Sequence, residues 1–93
     1  MRYKIIILQR AEKEIKKIPK DIGKKIIRRI YELGEDPRPL GCKKLTDYQS
    51  SRTSEKVCYR LRQGDYRIIY TIEEGLITIT VVQVSHRKEV YKK

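Results

Sequence analysis

The sequence predicts an α+β domain with the element order β-α-α-β-β-β: an N-terminal strand, a two-helix hairpin, then an antiparallel β-meander and a short C-terminal tail. Three observations carry this expectation. An early apolar run gives way to two stretches of helical periodicity. Pro19 divides those two stretches. Later come three runs rich in Val, Ile, Tyr and Thr, separated by turn residues. Helices grouped ahead of an antiparallel meander cover one face of the sheet, as in α+β folds.

Residues 3–8 (YKIIIL) are rich in β-branched residues and read as a buried strand. Ala11, Ile15 and Ile18 recur at i, i+4, i+7 and mark one face of a first helix over 11–18, which Pro19 stops. A second helix runs from Lys20 to about Leu33. Its apolar stripe is Ile22, Ile26, Ile30 and Leu33, widened by Ile27, with Lys20, Lys24, Lys25, Arg28 and Arg29 around the other face. Gly34 is the expected C-cap and Pro37 a stop. Residues 35–55 carry the weakest pattern. A structureless loop of that length is unusual in a compact domain, so Lys43–Leu45 is expected to pack as a short strand or turn. The runs 56–62, 66–72 and 76–84 form the meander, with turns at Gly64-Asp65 and Glu74-Gly75.

Composition bounds the function. With 93 residues and no internal composition break, residues 1–93 are expected to form one domain. Lys plus Arg number 23 against 12 acids, a formal charge of +11. Such an excess repels itself and calls for a polyanion: nucleic acid, an anionic membrane or an acidic protein. A merely solvated surface of the heat-adapted kind would match its lysines with glutamates, and here they are not matched. No apolar run approaches the ~20 residues that span a bilayer, and the start lacks a signal peptide's h-region and cleavage site. Cys42 and Cys58 have no metal-ligand spacing and His86 is the single histidine. A zinc site or disulfide framework is therefore not expected, and a reduced cytoplasmic setting is.

The first hairpin of the meander carries the most chemistry. With Gly64 and Asp65 as the two turn residues, Arg62 faces Arg67, Leu61 faces Ile68 and Arg60 faces Ile69. Alternation then puts Arg60, Arg62 and Arg67 on one sheet face. A turn shifted with the same parity keeps the three together; a three-residue loop would flip one strand. Val57, Tyr59, Leu61, Tyr66, Ile68 and Tyr70 occupy the other face, the natural core side. The arginine face is thus expected to be the open one, suited to phosphate through multi-donor guanidinium groups. Solvated strand arginines that discourage edge pairing are the plainer reading.

The tail HRKEVYKK (86–93) adds His86, Arg87, Lys88, Tyr91 and Lys92. A ribonuclease without a metal needs a base for the 2′-hydroxyl, a cation on the scissile phosphate and an acid for the leaving 5′-oxygen. Tyr91 serves as base if neighbouring cations lower its pKa from ~10. Arg87 and Arg67 suit the phosphate clamp, and His86 has the pKa for acid–base work. Each residue also has a plainer role, His86 as a surface or structural histidine and Tyr91 as a ring packed on the body. Of the other tyrosines, Tyr3, Tyr31, Tyr59, Tyr66 and Tyr70 mostly fall on apolar faces and read as core rather than base-stacking residues.

The runs YRLRQGDYRIIY (59–70) and VSHRKEVY (84–91), with AEKEIKKIP (11–19) and GCKKL (41–45), resemble the RelE branch of the RelE/ParE toxin superfamily over nearly the whole chain. The resemblance implies a compact fold with an antiparallel sheet and an acidic, RelB-like antitoxin that wraps the toxin. It also implies metal-independent cleavage of mRNA in the ribosomal A site. By position, it assigns Arg67 to the hairpin arginine that binds phosphate, Arg87 to the tail arginine and Tyr91 to the C-terminal tyrosine that acts as base. Arg60 matches one of two strand lysines that stabilise charge. The other falls at Cys58, which supplies no cation, leaving Lys56 as its substitute. Arg62, Lys56, Lys88 and Lys92 would hold RNA.

Three functions stay open at this level: a ribosome-dependent endoribonuclease, a non-enzymatic gyrase inhibitor of the ParE kind, and a non-toxic basic RNA-binding module. The tail pair Arg87 and Tyr91 favours the first.

Overall fold

A computed structural model describes residues 2–45 and 57–86. The elements follow the expected order, and Lys43–Leu45, expected as a short strand or turn, forms a strand. They are β1 (Lys4–Ile7), α1 (Gln9–Lys16), α2 (Lys20–Glu32), β2 (Lys43–Leu45), β3 (Cys58–Gln63), β4 (Tyr66–Glu73) and β5 (Thr78–His86). The strands form one five-stranded sheet in the order β1-β5-β4-β3-β2. Every neighbouring pair is antiparallel except β1 with β5, which run parallel. The chain must cross over to place two parallel strands side by side, and the connection from β1 to β5 carries the two helices and strands β2, β3 and β4.

The helices cover one face of the sheet. Ala11 and Ile15 of α1, Ile26 and Ile30 of α2, and Leu33 pack onto Leu61, Ile68, Tyr70, Ile79, Val81 and Val84. Ile18 lies beyond the end of α1 and still reaches this core. The stripe of α2 differs from the one expected. Gly23, Ile26 and Ile30 are the buried positions, while Ile22 and Ile27 stay 38% and 39% exposed. The helix is rotated so that Gly23 faces inward beside Ile15 and Ile18, where a Cβ would make only ordinary contact. Two further core expectations are corrected. Val57 precedes β3 and is 47% exposed, and Tyr31 points outward from α2.

Gly34 does not cap α2 through a left-handed turn; Leu33 is the cap residue, and the positive-φ glycines are Gly41 and Gly64. Gly34 is required by close approach instead. Its carbonyl accepts the Tyr3 N–H at 2.7 Å, and a Cβ there would meet the carbonyl oxygens of Tyr3 at 3.1 Å and Tyr31 at 3.2 Å. Both obstacles are backbone, one of them in the last turn of a helix, so neither yields cheaply. Gly34→Ala is expected to destabilise the protein by about 1–3 kcal/mol, as overpacking does, seen as a lower urea midpoint at unchanged slope.

The two meander turns are built differently. Gly64 takes φ 61° at the first central position of the β3–β4 turn, where II′ hairpins place glycine. The β4–β5 connection is longer than the two residues expected. A 3₁₀ turn over Glu74–Leu76 is followed by Ile77 in the left-handed region at φ 48°. The Ile77 carbonyl accepts the Lys4 N–H, which ties the start of β1 to this corner.

Tyr70, fully buried, holds the loop before β2 onto the sheet. Its hydroxyl donates to the Pro37 carbonyl at 2.7 Å, and its ring stacks on Tyr59 at 5.8 Å. Arg38 extends the cluster outward. Its guanidinium lies over the Tyr59 ring, donates to the Tyr59 hydroxyl and pairs with Glu74.

One irregularity sets the site. In β5 the pairing with β4 slips between Ile69 and Tyr70: Ile69 faces Gln83, while Tyr70 faces Val81. Val82 is the extra residue of a β-bulge. Before the bulge, Ile79 and Val81 point to the helices; after it, Val84 and His86 do.

Candidate nucleic-acid interface

The β3–β4 register matches the sequence expectation. Arg62 faces Arg67, Leu61 faces Ile68 and Arg60 faces Ile69. Leu61 and Ile68 belong to the helix-side core, so alternation places Arg60, Arg62 and Arg67 together on the far face of the sheet. Like charges directly opposite in a ladder are destabilising. A pair kept at the centre of a sheet therefore points to a use for the charge.

The far face is less open than expected. Arg67 sits between Arg62 and Ser85 on the ladder and is only 7% exposed, with Nε buried. Arg60 is half-buried and Arg62 exposed. Beside them lies a second small apolar cluster of Cys58, Ile69 and Val82, against which Leu8 and Leu45 pack. This cluster is the physical reason for the correction. The central strands carry apolar residues on both faces, so the middle of the arginine face is dry and its rim is wet. A guanidinium held in such surroundings is fixed in direction and interacts more strongly than one in water.

Cys58 is 1% exposed and serves as a core residue of that cluster. The cation missing at this position has a counterpart that the sequence reading did not find. Lys43 of β2 pairs with Arg60 of β3 and shares its face. The short strand 43–45 was legible, but its partner and register were not, because the pairing is between segments distant in sequence. Lys43, Arg60, Arg62 and Arg67 thus form one cationic patch across three strands, with Lys43 and Arg62 exposed.

His86 is placed apart from that patch. It faces Tyr66 on the ladder, its ring edge-to-face with Tyr66 at 5.2 Å, on the helix side of the sheet. Ser85 has the far-face position beside Arg67. Lys56, Arg87, Lys88, Tyr91 and Lys92 lie outside the described residues. No helix among the described residues is long and apolar enough to cross a membrane.

A helical hairpin lies on one face of the five-stranded sheet and a cationic patch on the other, and a family match places the chain in the RelE/ParE superfamily of small toxins. The model of the family described as the ParE toxin of type II toxin–antitoxin systems matches residues 5–91, and the chain belongs to that family. Toxin RelE of Mycobacterium tuberculosis (strain ATCC 25618 / H37Rv) is 22% identical over 91 residues, covering 97% of this chain and 87% of that protein. Among solved structures, the RelBE2 toxin–antitoxin complex from Mycobacterium tuberculosis superposes with a TM-score of 0.77 at 22% identity. That match covers 94% of this chain and 93% of the other. The RelB–RelE antitoxin–toxin complex from Methanococcus jannaschii gives a TM-score of 0.67 at 27% identity, with 94% and 95% covered.

Proposed function

We propose that this toxin is a metal-independent, ribosome-dependent endoribonuclease that cuts mRNA and arrests translation. The observation that carries the reading is the Arg62–Arg67 pair, opposed on the central ladder and flanked by Arg60 and Lys43 on the same face. A fixed guanidinium at the centre of a cationic patch suits a phosphodiester that gains charge in its transition state. In this mechanism Tyr91 takes the proton of the 2′-hydroxyl, and the 2′-oxygen attacks phosphorus. Arg67 and Arg87 hold the phosphate while the bond to the 5′-oxygen breaks. The 5′-oxygen leaves with a proton taken from solvent and Tyr91 gives up its own to solvent, giving a 2′,3′-cyclic phosphate and a 5′-hydroxyl end. Arg60 and Lys43 balance the developing charge, and Arg62, Lys56, Lys88 and Lys92 follow the RNA backbone. His86, on the other face of the sheet from Arg67, is given no acid–base role in this scheme.

The same module would supply an acidic antitoxin of the RelB kind. The charge of +11 suits such a partner, and the structurally similar proteins from Mycobacterium tuberculosis and Methanococcus jannaschii are complexes of that composition. A second reading, a non-enzymatic inhibitor of DNA gyrase, is favoured by the name of the matching family.

One paired assay separates the two. Translating ribosomes are incubated with wild type, Arg87→Ala and Tyr91→Phe, and a gyrase supercoiling reaction is run beside them. Cleavage by wild type that falls at least ~100-fold in both variants is expected, on the scale of losing a transition-state contact. Equal cleavage by all three would remove the roles given to Arg87 and Tyr91. Strong gyrase inhibition by a folded wild type that cuts no mRNA would replace the nuclease reading.

A further inference from the structure

An apolar groove of about 260 Å³ lies between α1 and α2. Ile15, Ile18, Gly23 and Ile27 form its floor, and Lys16, Lys20 and Lys24 its rim. Ile15 and Ile18 also belong to the core, so the packing beneath fixes the floor in place. Ile27 is 39% exposed, and Tyr31, one turn further along α2, is 49% exposed. Lys20, Lys24, Ile27 and Tyr31 recur at helical spacing, so the groove and its apolar extension run along α2. Large apolar side chains left exposed in one row mark a contact surface.

The chemistry of the groove selects its occupant. All three rim lysines are exposed, and no carboxylate lines the groove. Such a rim is complementary to acidic side chains. The apolar floor has nothing to offer a phosphate, which argues against an RNA backbone. Its concave shape fits a protruding side chain better than the flat surface of a bilayer. A third helix satisfies floor and rim together: its apolar stripe enters the groove and its flanking acids meet the lysines. An added strand would need an open sheet edge, which a groove between two helices does not present.

We propose that this groove docks an acidic amphipathic helix of a partner protein. The groove lies in the helical layer, and Arg60, Arg62 and Arg67 are on the other side of the sheet. A helix held here leaves the arginine face open, so the partner needs a second segment to block RNA. The proposal rests on the acidic-partner reading above and adds the surface that holds the partner, separating holding from blocking.

Two labelled peptides of Leu, Ala and Glu, identical in composition and roughly 20 residues long so that each can form a helix alone, test it. In one the leucines recur at i, i+3, i+4, i+7; in the other they are spread around the helix. Each is titrated with the full chain at ~0.15 M salt and followed by fluorescence anisotropy. The one-faced peptide is expected to bind at least about tenfold tighter, the scale of a filled anchor site. Changing Lys16→Glu, Lys20→Glu and Lys24→Glu together should weaken it by at least about tenfold. The same variant should gain affinity for the one-faced peptide with Lys in place of Glu, which also shows that the variant folds. Changing Lys4→Glu, Lys25→Glu and Lys44→Glu together alters the charge equally at exposed residues outside the groove and should cost much less. Ile27→Ala should weaken the one-faced peptide alone. Saturating peptide should leave the affinity for a 2′-O-methyl oligouridine within a few-fold; displacement of that RNA would seat the peptide on the arginine face and overturn the proposal. Equal affinity for the two acidic peptides, or equal losses in the two triple variants, also overturns it and leaves the acidic partner at another surface. Binding of neither peptide removes the groove and the acidic-partner reading together. Sedimentation with phosphatidylglycerol vesicles that Ile27→Ala abolishes, without a preference for the one-faced peptide, would make the surface a membrane contact instead.

Discussion

Arg67→Ala is expected to lower mRNA cleavage on translating ribosomes by about 10²–10³-fold, the cost of removing one preorganised transition-state contact. The stability of the variant should stay within about 1 kcal/mol of wild type. The second half of the prediction follows from the ladder. Arg67 directly opposes Arg62, and replacing one of two facing like charges relieves a repulsion worth roughly 0.2–1 kcal/mol. Removing a nearly buried guanidinium also removes a desolvation cost, offset by the packing its stem provides. Arg67→Lys is the informative control. It keeps the charge and loses the planar fork, so it should recover part of the rate. Ribosomal cleavage rates and urea denaturation of the three proteins check both halves. An Arg67→Ala protein that is as active as wild type would remove Arg67 from the phosphate clamp.

Tyr70 carries the largest expected effect on stability. Tyr70→Ala should cost about 3–5 kcal/mol, as aromatic truncations in cores do, a large share of the ~5–15 kcal/mol that holds a typical domain together. Tyr70→Phe isolates the hydroxyl. It strips the Pro37 carbonyl of its donor and should cost about 1–2 kcal/mol, or roughly 5–10 °C in Tm for a domain of this size. Burial first, then the neighbouring Cys42, pushes the Tyr70 hydroxyl above its ordinary value of 10.0. The sign follows from linkage. Above pH 10 the unfolded chain gives up this proton while the folded one keeps it, so stability present at neutral pH is lost as pH rises. The difference in stability between wild type and Tyr70→Phe should therefore be flat below about pH 9 and shrink above pH 10. Denaturant midpoints measured from pH 7 to 11 test this; a constant difference would show that Tyr70 ionises alike in both states.

The parts of the molecule differ in how plainly the sequence announces them, and the reasons are physical. The β3–β4 hairpin was readable to the residue, because a two-residue glycine turn fixes register locally. The helices were readable in place, yet α2 turned Gly23 rather than Ile22 inward, since periodicity counts isoleucines and gives no weight to a small residue packed beside Ile15 and Ile18. Lys43 was missed as a member of the cationic patch because β2 finds Arg60 across a long connection. The second apolar cluster was missed for a related reason. Cys58, Ile69 and Val82 come from three strands, and their burial on the arginine face emerges only when the strands are aligned. His86 was read as an acid–base candidate because it adjoins Arg87 in sequence, whereas the ladder turns it to the face opposite Arg67.

The bulge at Val82 works like an inserted letter in a message read two letters at a time. Strand positions before it and after it belong to different frames, and the doubled valine of VVQV is where the frame changes. Had the same β5 residues paired without a bulge, Ser85 would turn toward the helices, Val84 would stand opposite Arg67, and His86 would move to the far face beyond it. The bulge thus decides which face of the sheet the chain's single histidine takes, that of the arginines or that of the helices.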